Sequence, residues 1–374
     1  MAVVASTWAG VAYGRARRAR LEHQAKARGR YAEGAAWEAA LDDPAFAPAR
    51  LRATVGDIVG LAEQLWDGPR PSLLADRPDG WLIATWARTK AEVWGRGLCA
   101  EERPDVTPLR VVNREGEDED RVVLRVRLKV RRERSKPQFL GDLTPLEEPT
   151  TVKIDERWTF GRRGETWYLV SVDGDPLAGP VLSAPLIPTP AADDARLTES
   201  SLRELGEADA VPGERAAELV SPSAPPGLAL LDLSVVDGRF MPALLGAALS
   251  RLVETWETAT TGSDAPLRAL ATPDAVTSLL RPAHGGDARR LVLQDAELVR
   301  WEMQAFDPAA TPPRVVIDVT VRATYHLLDD HGDRLAGSPA ARTELRPAWT
   351  LELDDDAPAE WRLVASSNVA KKSD

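Results

Sequence analysis

Residues 43–59 read DPAFAPARLRATVGDIV, and residues 237–253 read DGRFMPALLGAALSRLV. The two stretches align without a gap, 194 residues apart (46 to 240). Phe46 lies over Phe240, Leu51 over Leu245, Ala53 over Ala247, Val55 over Leu249, Ile58 over Leu252 and Val59 over Val253. Apolar positions recur at three- and four-residue steps, the spacing of one buried helix face. The prolines at 48 and 242 suit the first turn of a helix, where a missing N–H costs nothing. The chain reads as one unit built twice.

The far ends of the copies agree. Glu156-Arg157-Trp158-Thr159-Phe160 precedes a polar turn and then Trp167-Tyr168-Leu169-Val170. Pro347-Ala348-Trp349-Thr350-Leu351 precedes an acidic turn and then Trp361-Arg362-Leu363-Val364. Each predicts a hairpin closing on a Trp-bearing strand. Between these ends lie strict alternators. Val122, Leu124, Val126, Leu128 and Val130 point one way, against Arg125, Arg127 and Lys129. Val315, Ile317, Val319, Val321 and Tyr325 oppose Asp318, Thr320 and Arg322. Period two is what a sheet with one covered face requires. The expected fold class is α+β, each copy placing helices on one face of a curved antiparallel sheet.

The expected organisation is a basic N-terminal helix or membrane-proximal segment (1–41), a first domain (42–175), a Pro-rich linker (176–230), a second domain (231–368) and a tail (369–374). The linker holds nine prolines, with a helix expected around Asp194 to Ala208. A chain of 374 residues, 44% hydrophobic and 28% charged, accommodates two such cores.

Charge is unevenly placed. The formal net charge is −11, yet residues 1–30 carry seven Arg or Lys against Glu22 alone, a net of +6. The pattern is that of a basic tether ahead of acidic domains and argues against wholesale nucleic-acid binding. The run Ala2–Tyr13 is only 12 residues long, too short to span a bilayer, and its arginines follow it rather than precede it. Three readings stand: the end of a longer membrane helix, an interfacial helix anchored by Trp8 and Tyr13, or a solvated helix. Membrane contact would put the domains on the cytoplasmic side, because the arginines follow the apolar run. The single Cys99 excludes an internal disulfide framework and reads as a small buried hydrophobe.

The opening D-x-x-F with its amphipathic helix, the alternating strand, and Glu156–Phe160 with Trp167–Leu169 together resemble the Tim-forty-four-like domain. That domain is the C-terminal part of a mitochondrial inner-membrane import subunit, and the tandem layout looks like actinobacterial membrane-tethered relatives. The resemblance covers roughly 42–175 and, more loosely, 231–368. It implies the cone-shaped fold named after nuclear transport factor two, attachment to a membrane, binding of lipid or protein partners, and no shared catalytic residues.

Candidate sites follow from charge and aromatic content. Residues 121–136 hold eight basic residues against Glu133. With Arg15, Arg17, Arg18 and Arg20, the residues Arg125, Arg127, Lys129, Arg131, Arg132 and Arg134 form a candidate surface for anionic lipid headgroups or an acidic partner. The competing reading is a solvated sheet face guarding an edge. No aromatics interleave the charges, so nucleic acid is not expected. Trp81, Trp86, Trp94 and Trp158 are a candidate apolar pocket, or simply core. His326 and His331 flank Asp329 and Asp330, which read as turn chemistry rather than a metal site. No cofactor is expected, and no nucleophile elbow, phosphate loop or zinc-protease motif occurs. Assignable inward positions are apolar except Tyr325, so the expectation is a non-enzymatic membrane-associated binding or scaffold protein. The alternative is a small-molecule-binding or isomerase-type cone.

Overall fold

Each unit grows outward from its Asp-x-x-Phe turn. The computed structural model describes residues 2–66, 70–94, 98–132, 151–177, 180–208, 225–282, 290–328, 334–354 and 360–367, with side chains in the first helix from Arg15 onward. Asp43 and Asp237 both cap a short 3-10 turn from an extended conformation (φ −138°, ψ 108° and φ −141°, ψ 106°). Their carboxylates accept from Ala45 N–H and Arg239 N–H. A helix starts at the next proline in each: α2 (Pro48–Trp66) in the first unit and α6 (Pro242–Thr261) in the second. The chain divides into compact units Met1–Ala192 and Asp193–Asp374.

In the first unit, α1 (Ala2–Asp42), α2 and α3 (Gly80–Trp94) precede five strands: β1 (Leu98–Ala100), β2 (Asp105–Val112), β3 (Arg121–Arg132), β4 (Thr151–Arg163) and β5 (Thr166–Asp173). All pairings are antiparallel, in the order β1-β3-β4-β5, with β2 also pairing β3. Leu51, Val55, Ile58 and Val59 of α2 are buried as the periodicity predicts, whereas Ala53 turns to solvent. They meet Val122, Leu124, Val126, Leu128 and Val130 in one core.

The second unit has α4 (Asp194–Ala208), α5 (Pro226–Ser234), α6, α7 (Ala265–Leu270) and α8 (Pro273–Leu280), then β6 (Arg290–Asp307), β7 (Arg314–Leu328), β8 (Arg334–Leu345), β9 (Ala348–Leu353) and β10 (Trp361–Ser366). Its curled antiparallel sheet runs β10-β9-β7-β6, with β8 also on β7. Val315, Ile317, Val319 and Val321 are buried and Tyr325 is half-buried against them, as the alternation predicts. Both units are therefore α+β, with helices packed on an antiparallel sheet.

The duplication reaches into side-chain contacts. Trp167 Nε1–H donates to Ala45 O at 2.9 Å, and Trp361 Nε1–H to Arg239 O at 3.2 Å, both ends displaced by the same 194 positions. Phe46 meets Trp167 edge-on at 5.0 Å, and Phe240 meets Trp361 edge-on at 6.0 Å. Each capping Asp is also neutralised by a guanidinium lying over the phenylalanine: Arg162 over Phe46 (5.9 Å) and Arg239 over Phe240 (5.8 Å). The arginines come from different places, β4 in one unit and the turn itself in the other. The contact is kept although the residue supplying it moved.

Equivalence starts earlier than residues 42 and 231. Ala35, Ala36 and Ala39 at the end of α1 are buried, and Ala229, Leu230 and Leu233 of α5 are buried 194 positions on. The expected linker is shared between the units. Ile187 bridges Val112 in parallel, exchanging hydrogen bonds with Val111 O (2.9 Å) and Asn113 N–H (2.7 Å). The helix expected around Asp194 to Ala208 is α4, packed within the second unit. Residues 209–224 lie outside the described ones.

Candidate functional site

α1 decides where the basic residues end up. Its buried stripe is Ala25, Gly29, Ala32, Ala36 and Ala39, small residues that let the helix lie tight on β2. A Cβ on Gly29 would sit 2.5 Å from Thr107 Cγ2. Arg28 donates to Leu109 O (2.7 Å) and also to Ala184 O. Burial first, then the neighbouring Arg110, pulls the Arg28 pKa down. Toward the N-terminus these contacts stop. Arg15, Arg17, Arg18 and Arg20 are all exposed on a helical segment continuous with the packed part. At about 1.5 Å per residue, the six residues from Arg15 to Arg20 cover about 9 Å of helix. Trp8 and Tyr13 lie in the stretch whose side chains are not described.

The charges of β3 have a different fate. Arg125 does not face solvent as the alternation predicts. It is buried, with both Asp155 oxygens (2.6 and 2.7 Å) and both Glu22 oxygens (2.8 and 2.9 Å) around it. The reason is α1, which brings Glu22 over the outer face of β3. Asp155 foremost, through its hydrogen bond, holds Arg125 more firmly protonated, and the Arg125 hydrogen bond holds Glu22 below the usual carboxylate range. Arg127 pairs with Asp105 (2.7 Å) and Lys129 with Glu102 (3.0 Å), both in the open. Arg131 is exposed and Arg132 ends the strand. Arg134 lies outside the described residues. Arg125, Arg127 and Lys129 are thus matched by carboxylates, whereas Arg15, Arg17 and Arg20 of α1 are exposed and Arg18 lies near Glu22.

The tryptophans divide. Trp86 and Trp158 are buried edge-to-face at 5.2 Å, flanked by Trp66 and Phe160. Between them lies Glu156, an inward carboxylate where the sequence reading expects apolar residues. Its Oε2 accepts from Trp86 Nε1–H (2.9 Å) and Trp158 Nε1–H (3.2 Å), and its Oε1 takes the Lys90 ammonium. Lys90 also lies over the Trp94 ring at 5.1 Å. Trp81 stays apart, about half exposed. Of the four expected pocket residues, Trp86 and Trp158 therefore gather around a carboxylate as packed core, and Trp94 lies half-buried against that core beside Lys90. Step-two alternation along β4 was the signal: what turns Trp158 and Phe160 inward turns Glu156 inward as well.

A second buried carboxylate, Asp120, meets Arg162 at 3.0 Å and Arg114 N–H at 2.9 Å. Burial pushes its pKa up to about 6, outweighing the help from Arg114 N–H and Arg162. Among the described residues, no group of His, Cys, Asp and Glu could hold a metal. His331, Asp329 and Asp330 lie outside them. Among the described residues, no helix is long and apolar enough to cross a membrane.

Comparison with protein-family models finds no match, and comparison with curated proteins finds none. Among solved structures, one similar chain is described as an Ntf2-like protein involved in plasmid conjugation. It shares 9% identity over 85% of this chain and 95% of its own, with a TM-score of 0.21. At that score the likeness says nothing of function, and the fold rests on the geometry above. The geometry defines an α+β protein of two curled-sheet units, the first carried on a long basic helix.

Proposed function

We propose that this chain is a non-enzymatic binding protein that meets an anionic membrane surface through α1, on the cytoplasmic side, and presents two α+β units there to lipid or a protein partner. The Tim-forty-four-like family is the one we assign to it, on the repeated D-x-x-F turn and closing Trp hairpin. The observation that carries the reading is the exposure of Arg15, Arg17, Arg18 and Arg20 on a helix continuous with the packed part of α1. Each charge near an anionic surface contributes about 1 kcal/mol, and α1 holds the four within about 9 Å of its length. Since Arg125, Arg127 and Lys129 already have carboxylate partners, they add little to an outward field. The test is co-sedimentation of the full chain with anionic and neutral vesicles across a salt series. Binding to anionic vesicles alone, weakening as salt rises, is expected; equal binding to neutral vesicles, or none, retires the reading.

Glu156 favours one second reading, a small-molecule-binding or isomerase-type cone with this carboxylate as its acid–base group. Against it, two indoles and an ammonium already occupy the carboxylate's oxygens.

A further inference from the structure

α4 inverts the usual order of a surface helix. A helix on a protein surface buries its apolar stripe and exposes its charges. Here Glu199 is buried and Arg196 and Arg203 are half-buried, while Leu197 and Leu205 are 50% and 59% exposed. What holds the helix is charge. Arg251 of α6 reaches Glu199 at 3.2 Å and Glu360 at 3.3 Å, and Arg203 reaches the same two carboxylates at 3.2 and 3.6 Å. Beside the charges, Leu202 is half-buried and the backbones cross closely, a Cβ on Gly238 lying 2.8 Å from Gly206 Cα.

The lattice is incomplete. Arg203 Nε–H and Arg251 Nε–H are buried without an acceptor. Both residues line a hollow of about 10 Å³, walled on its other side by Leu244, Ala248, Leu270 and Trp361. Buried donors left unmatched weaken a contact rather than strengthen it.

The duplication shows that this cover is specific to the second unit. At the positions of Leu244, Ala248 and Arg251, α2 carries Arg50, Thr54 and Asp57. Arg50 and Asp57 are exposed and Thr54 is half-buried. The same helix face is solvated and polar in one unit, apolar and covered in the other.

We propose that α4 is a releasable strap, closed over the Leu244–Ala248 face of α6 by the Glu199–Arg203–Arg251–Glu360 lattice and opened when that lattice is screened. Opening bares an apolar strip on α6 while the core beneath stays folded. Hydrogen exchange on the full chain tests this. Between about 0.05 and about 1 M NaCl, amides of Leu197–Gly206 should exchange about tenfold faster, with those of Leu249–Trp256 unchanged. Arg203→Met keeps the side chain's bulk and should produce the same acceleration at low salt. Exchange of α4 in step with α6 under every condition overturns the proposal, because α4 then opens only with the whole unit. Loss of α6 protection in Arg203→Met overturns it too, since α4 would be integral to the core. Unchanged α4 exchange in both salt and variant shows that non-ionic packing holds it, which also overturns the proposal.

Discussion

Glu156 and Pro347 occupy matching positions two residues before Trp158 and Trp349, and they show what single residues decide. With Glu156, β4 runs unbroken from Thr151 to Arg163 and both indole N–H groups beside it are satisfied. With Pro347, which has no N–H to give, the strand divides into β8 and β9, and Trp349 Nε1 is buried without a partner. Glu156→Gln should keep one acceptor but lose the Lys90 ion pair, destabilising the first unit by about 1–3 kcal/mol in a denaturant titration. Asp120 gives a pH signature. Its folded pKa of about 6 lies above the ordinary aspartate value of 3.8, so the folded state holds the proton more tightly. Its contribution to stability is therefore present below about pH 4 and is lost as pH rises through about 6. Asp120→Asn should flatten that part of the stability–pH curve, while Glu22, shifted the opposite way, leaves a loss on acidification below its ordinary value of 4.5. Urea midpoints of parent and variant from pH 4 to 7 check this; parallel curves would refute it. Neither carboxylate was legible as a site. Asp120 sits in a turn whose acidity reads as solvation, and Glu156 was visible only through its place in the alternation.

At the scale of elements, legibility followed the strength of the apolar pattern. α2, α6, β3 and β7 bury large residues at regular steps and were readable. The helix of α1 was expected but its packing was not legible, because its buried face is alanine and glycine, which mark close approach rather than hydrophobicity. That same helix reversed the reading of Arg125: period two placed it on the face opposite the core but could not say that Glu22 would cover it. α4 was foreseen as a helix, but its charged inner face hid that it packs. Two glycines of α1 measure its packing directly. Gly34 has nothing within 4 Å of a new Cβ, so Gly34→Ala should stabilise by about 0.5–1 kcal/mol through helix propensity. Gly29→Ala gains the same propensity but drives a methyl into Thr107, so it should instead destabilise by about 1–3 kcal/mol. Thermal melts of the two variants should move in opposite directions; movement together would mean that α1 does not rest on β2 as described.

At the scale of the whole molecule, two units repeat a turn, a helix, a sheet and an indole-to-turn latch, and they differ in what is attached. The first carries α1 with its exposed arginines, and the second carries the α4 strap. The duplication was legible because its markers stand at fixed spacing: Asp, Phe and Pro at the start, Trp at the end. The use of each attachment was not, because it depends on which charges find partners, and only the fold decides that. The proposed contact with an anionic surface runs through α1, not β3. The measurement is partition of the full chain onto anionic vesicles at low salt, comparing two sets of changes. In one, Arg15, Arg17, Arg18 and Arg20 are all replaced by Gln; in the other, Arg127→Gln is combined with Lys129→Gln. The first set should weaken binding by about two to three orders of magnitude, from about 1 kcal/mol per charge, and the second should change it by less than about threefold. Binding that survives the first set and collapses with the second would contradict it.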